Sequence, residues 1–274
     1  MTYTTVMVSL ALDRSNDACL EIAGQLVKRF AACAIGVAAG EFRPPLYFVE
    51  GAAQEVFVEG HAALRNRIAE VEAQFRAAMH RAMAVEWRCA EDFPTRFIVR
   101  QARAADIIVA GEGGRDVLAD PFTQANPNDL LMQTGRPLLI VPDGIDWLDL
   151  RSVLVAWKDT SECRRAVADA LPILREAKDV IVAGIVEDEA DRASVSSGME
   201  DLVALLLRHG VVAGERVPAE CGNAAVQLER IATEVGAGLI VAGAYGHSRF
   251  REWVFGGLTK TLVNPSSRCS LLSH

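Results

Sequence analysis

Short apolar segments alternate with helix-like segments along the second half of the chain. The apolar segments are rich in Val, Ile, Leu and Ala, as buried parallel strands are. The segments between them place apolar residues three and four positions apart, which is typical of amphipathic helices. Strands are predicted at 151–157, 179–187, 211–218, 238–243 and 269–273, and helices at 160–174, 199–210, 223–236 and from about 256. This alternation predicts a doubly wound parallel sheet with right-handed crossovers.

The first half follows the same order of elements. Its strands are predicted at 6–12, 31–40, 85–91, 106–111 and 137–142, and its helices at 16–30, 60–83, 94–104 and 126–134. We therefore predict two tandem α/β domains, 1–142 and 151–274, each a five-stranded parallel sheet in the strand order 3-2-1-4-5. The linker 142–150 is short, so we expect the two domains to pack together.

A glycine-bearing loop follows the fourth strand of the second half. It contains Gly243 and Gly246, and nine residues separate Gly246 from Gly256. In the first half, Gly111 and Gly114 lie 132 residues before Gly243 and Gly246. This match in register indicates a tandem duplication.

The first copy of the loop is degenerate. Gln124 falls where the repeat places Gly256, and Asp116 and Asp120 add negative charge to the segment. A phosphate group would be repelled there. We therefore expect the first half not to bind ATP.

Ligands of doubly wound sheets bind beyond the carboxyl ends of the strands, where the strand order reverses. Glycines at this position allow close approach of the backbone and turn N–H groups towards an anion. A helix opening at Gly256 adds the favourable end of its dipole. The loop is thus a candidate phosphate cradle, although the same glycines are equally compatible with a tight strand-to-helix turn.

Composition narrows the classes of function. The chain is 51% hydrophobic but 6% aromatic, and its formal charge of −8 argues against nucleic acid or anionic lipid as a partner. Six cysteines form no C-x-x-C pair, and no metal site is expected from the spacing of the histidines and cysteines. No apolar run approaches the roughly 20 residues of a membrane span, so we expect a cytoplasmic protein.

The chain resembles the universal stress protein family in its tandem two-domain form. The resemblance rests on the G-x2-G-x9-G pattern, the duplicated five-stranded order, Asp159 after the first strand of the second half, and the closing RCSLLSH. It covers nearly the whole chain and is weaker in the first half. It implies binding of ATP or another adenine nucleotide, with or without Mg²⁺, and a role in the stress response.

The resemblance also implies roles for particular residues. Asp159 would face the ribose, and the backbone of Ile185 would meet the adenine edge. The phosphates would be lined by glycines at 243, 246 and 256. The family usually has Ser or Thr directly after the last glycine, whereas this chain has Gly257. Thr259 is a potential substitute for that hydroxyl.

Three neighbouring side chains are further candidates for the nucleotide site, each with a simpler alternative. Lys158, in the loop after the first strand of the second half, is within reach of a phosphate, or is a solvated surface lysine. His247 is a hydrogen-bond donor to an anion, or faces water. Trp157 stacks on a base, or is a packed aromatic at the end of its strand.

No catalytic set can be recognised in the sequence, so enzymatic activity beyond slow ATP hydrolysis is not expected. The sequence favours a nucleotide-binding stress protein with a regulatory or protective role. The alternative is a protein-interaction module of the same fold that binds no nucleotide. The resemblance also implies pairing of the last strands, 137–142 with 269–273, which would make the chain an internal pseudo-dimer, either as a monomer or as a homodimer of such chains.

Overall fold

The computed structural model describes residues 2–44, 53–112, 120–218, 222–244 and 268–274. The strands are β1 (Thr5–Ser9), β2 (Cys33–Gly40), β3 (Val85–Glu91), β4 (Ile107–Gly111), β5 (Leu138–Val141), β6 (Ser152–Trp157), β7 (Asp179–Gly184), β8 (Ala213–Arg216), β9 (Leu239–Gly243) and β10 (Cys269–Ser273). The helices are α1 (Asp17–Phe30), α2 (Ala53–Ala78), α3 (Pro94–Gln101), α4 (Pro127–Gln133), α5 (Ser161–Leu174), α6 (Arg192–Arg208) and α7 (Ala224–Glu234).

All ten strands join one sheet in the order β3-β2-β1-β4-β5-β10-β9-β6-β7-β8. Within each half the order is 3-2-1-4-5, and neighbouring strands run parallel. The predicted fold class, a tandem pair of doubly wound sheets, is confirmed. Two short helical turns, Ala102–Ala104 and Glu189–Asp191, complete the described secondary structure.

The two halves meet through an antiparallel pair of strands. In the register of β5 and β10, Ile140 lies opposite Ser270 and Leu139 opposite Leu271. The pairing predicted between the last strands of the two halves is therefore confirmed. Each last strand gains a hydrogen-bonded neighbour, so neither is left as an open edge.

The central strands are buried on both faces because helices cover both sides of the sheet. In β1, Val6 and Val8 belong to the core under α1, α2, α5 and α6, whereas Met7 belongs to the core under α3, α4 and α7. All three side chains are fully buried. A strand covered in this way has no polar face, which explains the continuous apolar runs in the sequence.

Two helices begin seven residues before their predicted starts, whereas the bounds of the other described helices lie within three residues of the prediction. Helix α2 was expected at 60–83 but spans Ala53–Ala78, and α6 was expected from 199 but begins at Arg192. The first buried residue of α6 is Met199, so the apolar periodicity begins two turns after the helix itself. Helix α2 likewise starts with exposed apolar residues, Phe57 and Val58, which do not face the core.

Asp169 on α5 lies where the two halves touch. The Tyr3 hydroxyl donates to the Asp169 main-chain oxygen at 2.6 Å, and the Ser273 hydroxyl donates to its carboxylate at 2.8 Å. Burial raises the pKa of this carboxyl, and this effect outweighs the opposite contributions of Ser273, Arg165 and Arg136. The folded protein therefore binds this proton more tightly than the unfolded chain does.

This raised pKa predicts a pH-dependent effect of Asp169→Asn. Stability contributed by the protonated carboxyl is present below the pKa of the unfolded chain and is lost as pH rises through the higher folded pKa. Asparagine keeps an oxygen acceptor for Ser273 but does not titrate. Between about pH 4 and pH 7 we expect the free energy of unfolding of the variant to rise relative to the unchanged protein. Urea denaturation across this range tests it, and a difference that is constant with pH would contradict it.

Within the described ranges, none of the helices has both the length and the apolar character needed to cross a membrane. The same ranges contain no group of three or more His, Cys, Asp or Glu side chains placed to hold a metal ion.

Candidate functional site

Three of the predicted nucleotide-binding positions come together at the carboxyl ends of β6, β7 and β9. Asp159 follows β6, Ile185 follows β7, and Gly243 ends β9. Strand β6 lies between the other two in the sheet. Strand order reverses at β6 and β9, so this edge is the expected ligand position of a doubly wound sheet.

Gly243 brings the end of β9 against the first turn of α5. A Cβ atom built on Gly243 would lie 2.4 Å from the main-chain nitrogen of Cys163 and 2.6 Å from the carbonyl carbon of Glu162. These are backbone atoms, so they cannot move aside as a side chain can. Glycine is thus required here by packing, in addition to any role in binding a phosphate.

The loop after β6 carries two charged side chains that are paired with neighbours. Lys158 Nζ lies 2.8 Å from Glu187 Oε2, which links this loop to the segment after β7. Asp159 pairs with Arg164, and its side chain is 67% exposed. Both ion pairs lie at the surface and contribute little free energy, so a ligand could replace them with its own contacts at little energetic cost.

Trp157 is the last residue of β6, directly before the loop that carries Lys158 and Asp159. Its side chain is buried in the core of α5 and α6, and its indole nitrogen would be 3.3 Å from a Cβ atom on Gly198 of α6. The ring also lines a cavity of about 300 Å³ between α5 and α6. The Trp157 side chain is therefore packed against α6, and its role in stacking on a base remains a prediction.

A buried carboxylate, that of Glu162, also lies at this edge. It was not predicted from the sequence. The Ser161 hydroxyl donates to Glu162 Oε1 at 3.0 Å. Burial alone would raise the pKa of Glu162, but hydrogen bonds from its own N–H and from the Ser161 and Thr160 hydroxyls lower it, with help from His274. The hydrogen-bond donors in the first turn of α5 therefore already bond to the Glu162 carboxylate. A phosphate would need hydrogen-bond donors from other parts of the protein. An acidic residue in the first turn of a predicted helix was the available sequence signal.

The remaining predicted site residues, Gly246, His247, Gly256, Gly257 and Thr259, lie outside the described part of the chain. Gly114 and Asp116 of the first loop also lie outside it. Their proposed roles remain predictions.

The equivalent edge of the first half is occupied by its own chain. The main-chain oxygen of Thr123 accepts a hydrogen bond from Leu12 N–H, and that of Phe122 accepts one from Glu41 N–H, both at 2.9 Å. The Thr123 hydroxyl also donates to Asp13, the counterpart of Asp159, at 2.6 Å. We call Phe122–Thr123 the plug, because it bridges the loop after β1 and the segment after β2.

Aromatic contacts hold the plug in place. The Phe122 ring meets Phe93 edge to face at a centroid distance of 5.8 Å, and the Arg43 guanidinium lies 3.7 Å from its centroid. Arg14 crosses the same edge, donating to the Glu112 main-chain oxygen at 2.8 Å and pairing with Asp143. Asp13 and the main-chain N–H groups of Leu12 and Glu41 are thus bonded within the protein.

The fold of the whole chain is similar to solved universal stress protein structures. One from Archaeoglobus fulgidus matches with a TM-score of 0.67 at 15% identity, over 98% of this chain and 97% of that protein. A Pseudomonas aeruginosa protein assigned provisionally to the same family matches at 0.61 and 15%, over 99% and 93%. A functionally unknown protein from Pseudomonas aeruginosa matches at 0.57 and 15%, over 99% and 92%. No protein-family model and no curated protein matches the chain. The resemblance is therefore confirmed in the tandem fold.

Proposed function

We propose that this chain, which has the fold of the tandem universal stress proteins, binds an adenine nucleotide in its second half. The observation that supports this most is the contrast between the halves. In the first half the plug occupies Asp13 and the backbone after β2. In the second half the corresponding Asp159 side chain is 67% exposed, and within the described part of the chain it pairs with Arg164 at the surface.

The residues at this edge fit the parts of a nucleotide. Asp159 is a hydrogen-bond acceptor for ribose hydroxyls, and the backbone at Ile185 suits the adenine edge. Lys158 is the positive charge closest to Asp159 along the loop and suits a phosphate. Because Glu162 places a negative charge in the first turn of α5, a bound Mg²⁺ that offsets the phosphate charge would favour ATP here.

The role that follows is regulatory or protective. Binding of a nucleotide that orders the edge of the sheet would change which surface the second half presents to a protein partner. We place this role in the cytoplasm, with the chain acting as a monomeric pseudo-dimer or as a dimer of such chains.

Release of bound ligand tests the proposal directly. The protein is purified gently without added nucleotide and denatured, and the supernatant is analysed by chromatography and mass spectrometry. We expect about one adenine nucleotide per chain, since one of the two edges is plugged. Absence of any nucleotide, together with no thermal shift in millimolar ATP and Mg²⁺, would favour the protein-interaction module instead.

The glycine loop gives a second test with a matched control. A side chain at Gly246 would keep a phosphate from the backbone, so Gly246→Val is expected to weaken ATP binding by about tenfold or more. Gly114→Val, at the duplicated position, is expected to leave binding unchanged. Both affinities are measured by calorimetric titration, and an equal loss in the two variants would refute the functional asymmetry of the halves.

A further inference from the structure

Gln227 on α7 forms a hydrogen-bonded clamp on the chain directly after β7. Its Oε1 accepts from Val186 N–H at 3.3 Å, and its Nε2 donates to the Val186 main-chain oxygen at 2.9 Å. The same Nε2 donates to the Gly222 main-chain oxygen at 2.8 Å. The side chain is buried, with 6% of the residue exposed. A buried glutamine with both ends of its amide bonded holds its partners firmly.

The clamp acts where the sheet no longer supports the chain. Strand β7 ends at Gly184. The last residue of β7 that pairs with β8 is Ala183, which lies opposite Arg216. A primary amide carries the same donor and acceptor as a peptide group. Gln227 therefore pairs with Val186, two residues beyond the end of β7.

The clamp also fixes the direction of the Ile185 carbonyl. The Ile185 C=O and the Val186 N–H belong to one peptide group, and in a trans peptide they point in opposite directions. Because the N–H is bonded to Gln227, the carbonyl points away from Gln227. Among the described residues, none donates a hydrogen bond to this carbonyl oxygen, while the Ile185 N–H donates to the Trp157 main-chain oxygen at 3.4 Å.

Among the residues of the first half that the structure describes, none forms an equivalent clamp on the segment after β2. Helices α3 and α7 both begin after an N-cap residue, Phe93 and Asn223 respectively. Gln227 is four residues after its cap, and the residue four after Phe93 is Phe97. The segment after β2 is bonded to the plug instead, through Glu41 N–H. The clamp thus lies in the half in which Asp159 is exposed, whereas the plug lies in the other half.

We propose that Gln227 is a positioning residue that presents the Ile185 carbonyl to the base and so selects a 6-amino purine over a 6-oxo purine. This inference rests on the proposed nucleotide binding. The 6-amino group of adenine is a donor and can bond to a carbonyl. A 6-oxo group is an acceptor, so it would face the carbonyl with like partial charge. Without the clamp the peptide group could rotate and offer its N–H instead, and discrimination would be lost.

The test compares ATP with inosine triphosphate, which differs at the 6-position of the base. Both are titrated calorimetrically with Mg²⁺ into the full chain and into Gln227→Met, which keeps the length of the side chain but lacks the amide. The unchanged protein is expected to prefer ATP by about tenfold or more, the value of one hydrogen bond. In Gln227→Met we expect this ratio to fall to about twofold or less. A ratio that stays unchanged in the folded variant would overturn the inference.

A second variant and a control separate positioning from stability. Gln227→Ser leaves room for a water molecule to bond to Val186, so it serves as the test if Gln227→Met does not fold. It is expected to lower the ratio of the ATP and inosine triphosphate affinities in the same way. Thr95→Val in α3 is the control. It removes a buried hydroxyl that, like the Gln227 amide, accepts a hydrogen bond from a main-chain N–H, here that of Asn126 at 3.1 Å. Its ATP preference should equal that of the unchanged protein. If the unchanged protein binds neither nucleotide, the proposed function fails; if it prefers ATP and the Gln227 variants do too, only the inference fails.

Discussion

Gly243→Ala is expected to destabilise the protein by about 1–3 kcal/mol, the usual cost of forcing an extra carbon into a packed site. The new Cβ atom would lie 2.4 Å from the Cys163 nitrogen, so either the first turn of α5 or the end of β9 must shift. Because Asp159 immediately precedes that turn, we also expect weaker ATP binding. Urea denaturation gives the free energy of unfolding, and calorimetric titration gives the affinity.

The duplication supplies a matched control, Gly111→Ala. Gly111 ends β4 as Gly243 ends β9, but a Cβ atom there would meet Cys19 Sγ at 3.5 Å and Arg14 no closer than 3.9 Å. Those are ordinary contacts with side chains. We therefore expect no loss, or a gain of about 0.4–1 kcal/mol from the reduced entropy of the unfolded chain. Equal destabilisation by the two alanines would show that the close approach of β9 to α5 is not what makes glycine necessary at 243.

Leu271→Ala is expected to lower the free energy of unfolding by about 2–5 kcal/mol, as large-to-small changes in a buried core do. Leu271 is fully buried in β10, opposite Leu139 of the first half and beside Val241 of its own half. The cavity would open at the seam between the halves. We expect the loss in urea denaturation followed by circular dichroism.

Leu207→Ala is the control for Leu271, since Leu207 on α6 is 61% exposed. Its effect should stay within about 0.5 kcal/mol, as is usual for surface positions. A similarly small effect at Leu271 would mean that the seam contributes little to the stability of the chain.

The central strands of the sheet could be predicted from the sequence because they are buried on both faces. Such strands are rich in apolar residues, and the prediction for β10, 269–273, matches the observed bounds. Helix starts were harder wherever the first turns face solvent, as in α6, because they carry no apolar periodicity. The pairing of β5 with β10 was predicted from the family resemblance together with the duplication, which allows one chain to make this pair internally.

The candidate site could be predicted only in part. Positions tied to strand ends, such as Asp159 and Gly243, follow from the order of elements. Gln227 and the plug do not, because each acts on a segment that is remote in sequence. Gln227 reaches Val186 across 41 residues, and the Thr123 hydroxyl reaches Asp13 across 110. Polar side chains in helices and loops carry no periodic signal of such contacts.

The antiparallel pairing of β5 with β10 sets how the two candidate edges are arranged. Strands β1–β5 run parallel to one another, as do β6–β10, so the two sets run in opposite directions across one sheet. Their carboxyl ends consequently open on opposite rims of the molecule. A nucleotide on one rim leaves the plugged rim fully accessible, so a single chain could hold a small molecule and a protein at once without the two competing for space.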